Sequence, residues 1–192
     1  KVSSTPSIQA QPATLEEVDD GLISALKALS VSNSPEAHLR VAQAYRAVNV
    51  KDKAWEHFSV AADKDRRNSA AHDGMARVLR DSGAPQLAMA DAYRAVHFAP
   101  WSPEARNTLG TILQDLGFHA AARAAYEGAL SLNPRAAYAL SNLCSLDLLA
   151  GLLEAAEARC TEAQRVDPNL VTASRNLERI RAMLAETLAE PP

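Results

Sequence analysis

The feature that most constrains this chain is a 34-residue period in the placement of its alanines. Cut at Pro35, Ser69, Pro103 and Ala137, the sequence gives four segments in one register. Their twentieth column reads Ala54, Ala88, Ala122, Ala156, and their twenty-seventh reads Ala61, Ala95, Ala129, Ala163. At this chain's alanine frequency, that coincidence arises by chance roughly three times in a million, so the period reflects a repeated structural unit. The eighth column is small throughout (Ala42, Ala76, Gly110, Cys144). The fifteenth holds Asn49, Gly83, Gly117 and Gly151, and the thirty-second Arg66, Pro100, Pro134 and Pro168.

Each column has a mechanical meaning. Gly, or Asn in its place, takes the left-handed conformation that ends one helix and reverses the chain. Pro cannot continue a helix interior, so it closes the second helix of the unit. Between these breakers lie two segments of about 14 residues with apolar spacing near 3.6. Small columns bring the two helices close, and larger residues such as Leu109, Leu113 and Tyr126, or Val41, Tyr45 and Phe58, fill the space around them. Composition agrees: 39 Ala and 23 Leu against seven Gly favour helix, and β-branched and aromatic residues are too few for a β-sandwich. A net charge of −3 and a pI near 6.0 argue against a nucleic-acid partner. Asp147 interrupts the longest leucine-rich stretch, so no apolar run approaches the roughly 18 residues of a membrane span.

The run Asn107-Thr108-Leu109-Gly110 followed by Gly117, Ala122, Tyr126, Ala129 and Asn133-Pro134 resembles the tetratricopeptide repeat. Asn142-Leu143, Gly151, Ala156, Ala163 and Asp167-Pro168 repeat the pattern. The resemblance implies an all-α, right-handed α-solenoid of four helix-turn-helix repeats over 35–170 (35–68, 69–102, 103–136 and 137–170). His38, His72, Arg106 and Leu140 depart from it, standing where the family favours Trp, and Asp147 stands where it expects a core residue. Residues 1–13, rich in Ser, Thr, Pro and Gln, are expected to be a disordered tether. A capping helix is expected over 14–34, with Thr14 and Glu17 spaced as a capping box. Residues 171–192 start in phase and are expected to supply the C-terminal capping helix and a tail, with Leu177, Ile180, Leu184 and Leu188 turned inward.

Cys144 and Cys160 occupy the eighth and twenty-fourth columns of one unit, where Gly110 meets Tyr126 and Ala42 meets Phe58 in others. A disulfide is expected there, with two small buried thiols as the alternative. A bond places the protein outside the reducing cytoplasm. A chain opening on Lys1 and a polar tether is what a cleaved leader or lipid-anchor site leaves, and equally what a truncation leaves. The expectation is an exported or periplasmic protein of a bacterial envelope, tethered through its N-terminus, with a cytoplasmic location as the alternative.

Chemistry-bearing patterns are sparse. His38, His57, His72, His97 and His119 fall in four columns and form no metal-ligand spacing, so they read as core or half-exposed spacers. No phosphate loop, nucleophile elbow or paired-carboxylate signature is present, so no catalytic residue, metal or cofactor is expected. Function then rests on the surface. The resemblance implies a concave groove lined by the first helices. On this chain that groove takes Arg40, Gln43, Arg46, Arg77 and Arg80 near the N-terminal end, then Asn107, Thr111, Asn142 and Ser145. Arg175, Asn176 and Arg179 complete it. Gly74, Thr108 and Ser141 fall in groove columns as well. Asn142 and Asn176 share the column in which the family bonds the backbone of an extended peptide. The arginines could bind carboxylates or be neutralised by Asp73, Asp81 and Glu36. The expected function is a non-catalytic scaffold or adaptor capturing a peptide or helix of a protein partner, in service of assembling a pilus, secretion or other envelope complex. The alternative is a structural subunit assembling through its convex face or the apolar turn of Leu148, Leu149, Leu152 and Leu153.

Overall fold

A computed structural model describes residues 20–189, with side chains through Glu186. The expected tether and the Thr14–Glu17 capping box lie outside the described residues, as does the side chain of Leu188. Among the described residues there are ten helices and no strand. Four hairpins follow the period: α2 (Pro35–Ala47) with α3 (Lys51–Lys64), α4 (Ser69–Asp81) with α5 (Pro85–Phe98), α6 (Pro103–Asp115) with α7 (His119–Leu132), and α8 (Ala137–Leu149) with α9 (Leu153–Val166). Helix α1 (Asp20–Val31) precedes them and α10 (Val171–Ala189) follows. Helix α1 stops at Val31 rather than running to residue 34, because Ser34 is already the N-cap of α2 and accepts from the Ala37 amide.

All four hairpins share their turn chemistry, and side-chain caps open three of the four first helices. Asn68 and Ser102 cap α4 and α6 as Ser34 caps α2, each accepting an amide from three residues on. Pro35 and Pro103 sit at the first helical position, where a missing N–H costs no hydrogen bond. The turns use the fifteenth column: Asn49 has φ 60° and Gly117 φ 80°, with Gly83 and Gly151 alike. The next residue then reaches back to a carbonyl in the last turn, Val50 to Tyr45 and Phe118 to Leu113, both at 2.8 Å. These paired reversals start each second helix without a side-chain cap.

Packing divides the chain into two compact units, one ending at Pro100 and one beginning at Trp101. In the first, α1 lies on α2, and α3 packs against α4, joining its two hairpins. In the second, α7 packs against α8, and α10 closes over α9 and α8 through Ala173, Leu177 and Ile180. All eight alanines of the two periodic columns are 0% exposed, which makes them contact residues rather than generic helix formers.

In the first and third hairpins a small residue lies beneath a large one. Tyr126 is fully buried over Gly110, and a Cβ built on Gly110 would lie 2.5 Å from its ring. Its hydroxyl donates to Gln114 Oε1 at 3.0 Å, which limits how far the ring can retreat. Phe58 packs with Ala42, Ala54 and Val78 and also covers Gly74 of the next hairpin. In the fourth hairpin the two positions are bonded: Cys144 Sγ and Cys160 Sγ are 2.08 Å apart, and neither sulfur-bearing residue is exposed. The Gly110→Ala variant tests this constraint. Helix propensity alone would stabilise it by about 1 kcal/mol, yet overpacking against Tyr126 costs about 1–3 kcal/mol. A net loss in urea unfolding is the expected outcome; a gain would show that Tyr126 is free to move.

Candidate protein-interaction face

Helical periodicity places one stripe of each first helix outward. In the first unit α2 presents exposed Arg40 and Gln43 with half-buried Arg46, and the neighbouring α4 presents Arg77 and Arg80. The α4 arginines are largely engaged. Arg80 bonds Asp81 Oδ1 through NH2 at 2.7 Å and Nε at 3.1 Å, and Arg77 NH1 lies 3.8 Å from Asp73 Oδ2. Burial holds the Arg46 guanidinium below its ordinary pKa, and the Arg77 charge adds to this against the pull of Asp81 and Asp73. Arg40 and Gln43 have no such partner among the described residues. Gly74 does not belong to this face, because it is buried under Phe58.

In the second unit α6, α8 and α10 lie side by side, and their outward polar residues bond one another. Asn142 Nδ2 donates to Asn107 Oδ1 at 2.8 Å. Asn176 Nδ2 donates to Ser145 Oγ at 2.9 Å, and Ser145 Oγ to the Ser141 carbonyl at 3.0 Å. Thr111 Oγ1 turns back to the Thr108 carbonyl at 2.8 Å. Thr108 and Ser141 are themselves buried, so they support the row rather than present it. Arg175 and Arg179 stand exposed on α10. Tyr138 lies 3.4 Å from Glu104 Oε1, and burial followed by that carboxylate pushes its pKa up to about 12, keeping the phenol a donor. Each Asn of the row spends only part of its amide on its neighbour. The remaining donors and acceptors recur on successive first helices.

Polar groups missed as partners lie inside the hairpins. The His38 Nε2–H donates to Asn33 Oδ1 at 2.7 Å, leaving Nδ1 to accept from His57 Nδ1–H at 3.0 Å. One repeat later His72 Nδ1 meets Asp91 Oδ1 at 2.9 Å and Nε2 meets the Arg66 carbonyl at 3.2 Å. Arg94 NH1 binds the same Asp91 oxygen at 2.9 Å. Both pairs span 19 residues, so polar residues co-occurring in the fourth and twenty-third columns were the available signal. Asp147, 1% exposed, finds two partners: Arg123 NH2 donates to Oδ1 at 2.6 Å, and Arg159 NH1 lies 2.8 Å from Oδ2, off the hydrogen-bonding direction. Among the described residues no group of three or more His, Cys, Asp or Glu forms a metal cluster, and no helix is long and apolar enough to cross a membrane.

No protein-family model matches the chain. Tetratricopeptide repeat protein 6 of Homo sapiens is 32% identical over 119 residues, covering 61% of this chain and 22% of that protein. The chain therefore spans about a fifth of that relative's length. Among solved structures, TTC0263, a thermophilic tetratricopeptide protein of Thermus thermophilus, superposes with a TM-score of 0.74 at 19% identity. The match covers 84% of this chain and 89% of that one. YrrB, described as a tetratricopeptide protein with an unusual peptide-binding site, superposes at a TM-score of 0.61 and 22% identity, over 80% of each chain. With the repeat columns and the hairpins, these likenesses show that the chain has the all-α fold of tetratricopeptide repeats.

The histidine pair gives a pH prediction. Burial lowers the pKa of both His38 and His57; the proximity of His57, then Lys64, lowers that of His38 further. On His57, Glu56 pulls upward and Lys53 downward, while Tyr45 stacks on its ring. A histidine whose folded pKa lies below its unfolded value of 6.5 contributes stability above that pH and loses it as pH falls toward the folded value. From about pH 7.5 to about pH 5.5, wild-type protein is expected to lose more stability in urea than His57→Gln, which keeps an amide donor without titrating. Parallel losses would remove the pair from the acid response.

Proposed function

We propose that the chain is a non-catalytic interaction scaffold that captures an extended segment of a protein partner on the α6–α8–α10 face. The observation that carries this reading is the row Asn107, Asn142 and Asn176, whose amides bond their neighbours yet retain free donors and acceptors. An extended peptide offers alternating N–H and C=O groups that such amides satisfy together. The fold shared with a protein known for a peptide-binding site supports the same reading. In a pull-down from the native organism, Asn142→Ala/Asn176→Ala is expected to retain the partner about tenfold less well, the scale of one or two lost hydrogen bonds. Arg77→Ala/Arg80→Ala is expected to retain it nearly fully, since both side chains already face carboxylates. Undiminished capture by the Asn variant moves the site off this face.

The proposed setting is an oxidising envelope compartment, where the scaffold serves assembly of a multiprotein complex such as a pilus or secretion apparatus. The Cys144–Cys160 bond supports it, because cytoplasmic thiols are kept reduced. Protein taken from its native cells and alkylated under denaturing conditions is expected to gain label only after reduction. Labelling of both cysteines without reductant would place the chain in the cytoplasm.

A further inference from the structure

A hollow opens at the edge of the second unit between the start of α7 and the end of α8, away from the Asn row. Its walls are His119, Ala120 and Arg123 of α7 and Leu146, Leu149 and Ala150 at the end of α8, and its volume is about 370 Å³. Leu149 is 65% exposed, and Phe118 and Leu152, at the neighbouring turns, are 54% and 52% exposed. Leu149 on the wall of the hollow, and Phe118 and Leu152 in the turns next to it in sequence, are thus left in water.

Charge distinguishes this edge from a merely apolar one. Arg123 is anchored by one nitrogen to Asp147 and keeps about a third of its side chain exposed. Arg159 holds the second carboxylate oxygen, so the group sets two guanidiniums against one buried carboxylate and carries a net positive charge. A guanidinium has five N–H donors, and among the described residues Asp147 is the only partner of this one. The anchoring is costly: the same column holds Tyr45, Leu79 and Leu113 in the other repeats, and a buried carboxylate seldom outperforms a hydrocarbon there. Asp147 is thereby a positioning residue, fixing the Arg123 fork at the wall of the hollow.

We propose that this hollow docks a segment of another protein in which a carboxylate side chain is flanked by bulky aliphatic or aromatic residues. The carboxylate pairs with the outward N–H groups of Arg123, with the His119 ring beside it. The flanking residues cover Leu146 and Leu149. The site is separate from the Asn row, and either can fail without the other.

The test uses the intact chain and three fluorescein-labelled dodecapeptides with the central runs Leu-Glu-Leu-Phe, Leu-Gln-Leu-Phe and Ser-Glu-Ser-Ser. Binding is followed by anisotropy, and its location by amide shifts in NMR. The Glu probe is expected to bind and to move the signals of Ala120, Arg123 and Leu149, with the other two probes about tenfold weaker. Arg123→Gln is expected to lose about tenfold in affinity for the Glu probe. Leu149→Glu should lose as much, and because Leu149 is exposed and outside the ion group it keeps the result interpretable should Arg123→Gln unfold. Asn142→Ala/Asn176→Ala should bind the Glu probe as wild type does. Equal binding of the Gln probe, shifts confined to other helices, or binding by none of the probes overturns the proposal. So do the same shifts on concentrating the protein alone, which would name a second copy as occupant, or equally tight binding of lauric acid, which would name a small amphiphile.

Discussion

Everything this fold presents depends on how closely two helices of a hairpin can approach. The periodic alanines, 0% exposed in all four hairpins, bring the backbones together, and in three of the hairpins a second pair of columns sets the final distance. Tyr126 over Gly110, Phe58 beside Ala42, and the bond between Cys144 and Cys160 are different occupants of the same pair of columns. Because that spacing is repeated, the outward residues of neighbouring first helices fall into step. Asn107 of the fifth column and Asn142 of the sixth come within hydrogen-bonding reach across neighbouring first helices. The outward polar row is thus a consequence of core sterics, expressed on the far side of the first helices.

This dependence explains what the sequence made legible. The turn column had to take left-handed backbone, so Asn49, Gly83, Gly117 and Gly151 marked every reversal without reference to the rest of the chain. The alanine columns were legible for the same reason: a steric requirement repeated four times leaves four copies of its signature. Even the cysteine pair followed from column logic, since two side chains in the small and large positions of one hairpin point at each other.

Contacts that occur once, or that join one repeat to the next, left weaker traces. Gly74 carried the number of a groove column, yet Phe58 reaches over it from the preceding hairpin. Arg77 and Arg80 read equally well as ligand-binding or self-neutralised, and only their distances to Asp73 and Asp81 distinguish the two. His38 and His57 share no column and lie 19 residues apart, so their hydrogen bond needs the hairpin geometry to be seen. The bonding within the inner polar row depends on side-chain orientations that column position does not specify, as Asn107 of the fifth column bonding Asn142 of the sixth shows.

The fourth hairpin shows how a core column can be released from packing duty. Replacing a hydrocarbon by the Arg123–Asp147–Arg159 group forgoes about 1–4 kcal/mol relative to a well-packed apolar core. A disulfide closing a loop of this length contributes about 3 kcal/mol, chiefly by restricting the unfolded chain. Cys144 precedes Asp147 by three residues on α8, and Arg159 adjoins Cys160 on α9, so the covalent link and the charged group occupy the same stretch of the helix pair. The two terms are of one size and opposite sign. The bond that holds α8 to α9 therefore offsets the hydrocarbon missing one turn further on, and the column it frees carries a charge that no other repeat of this chain holds there.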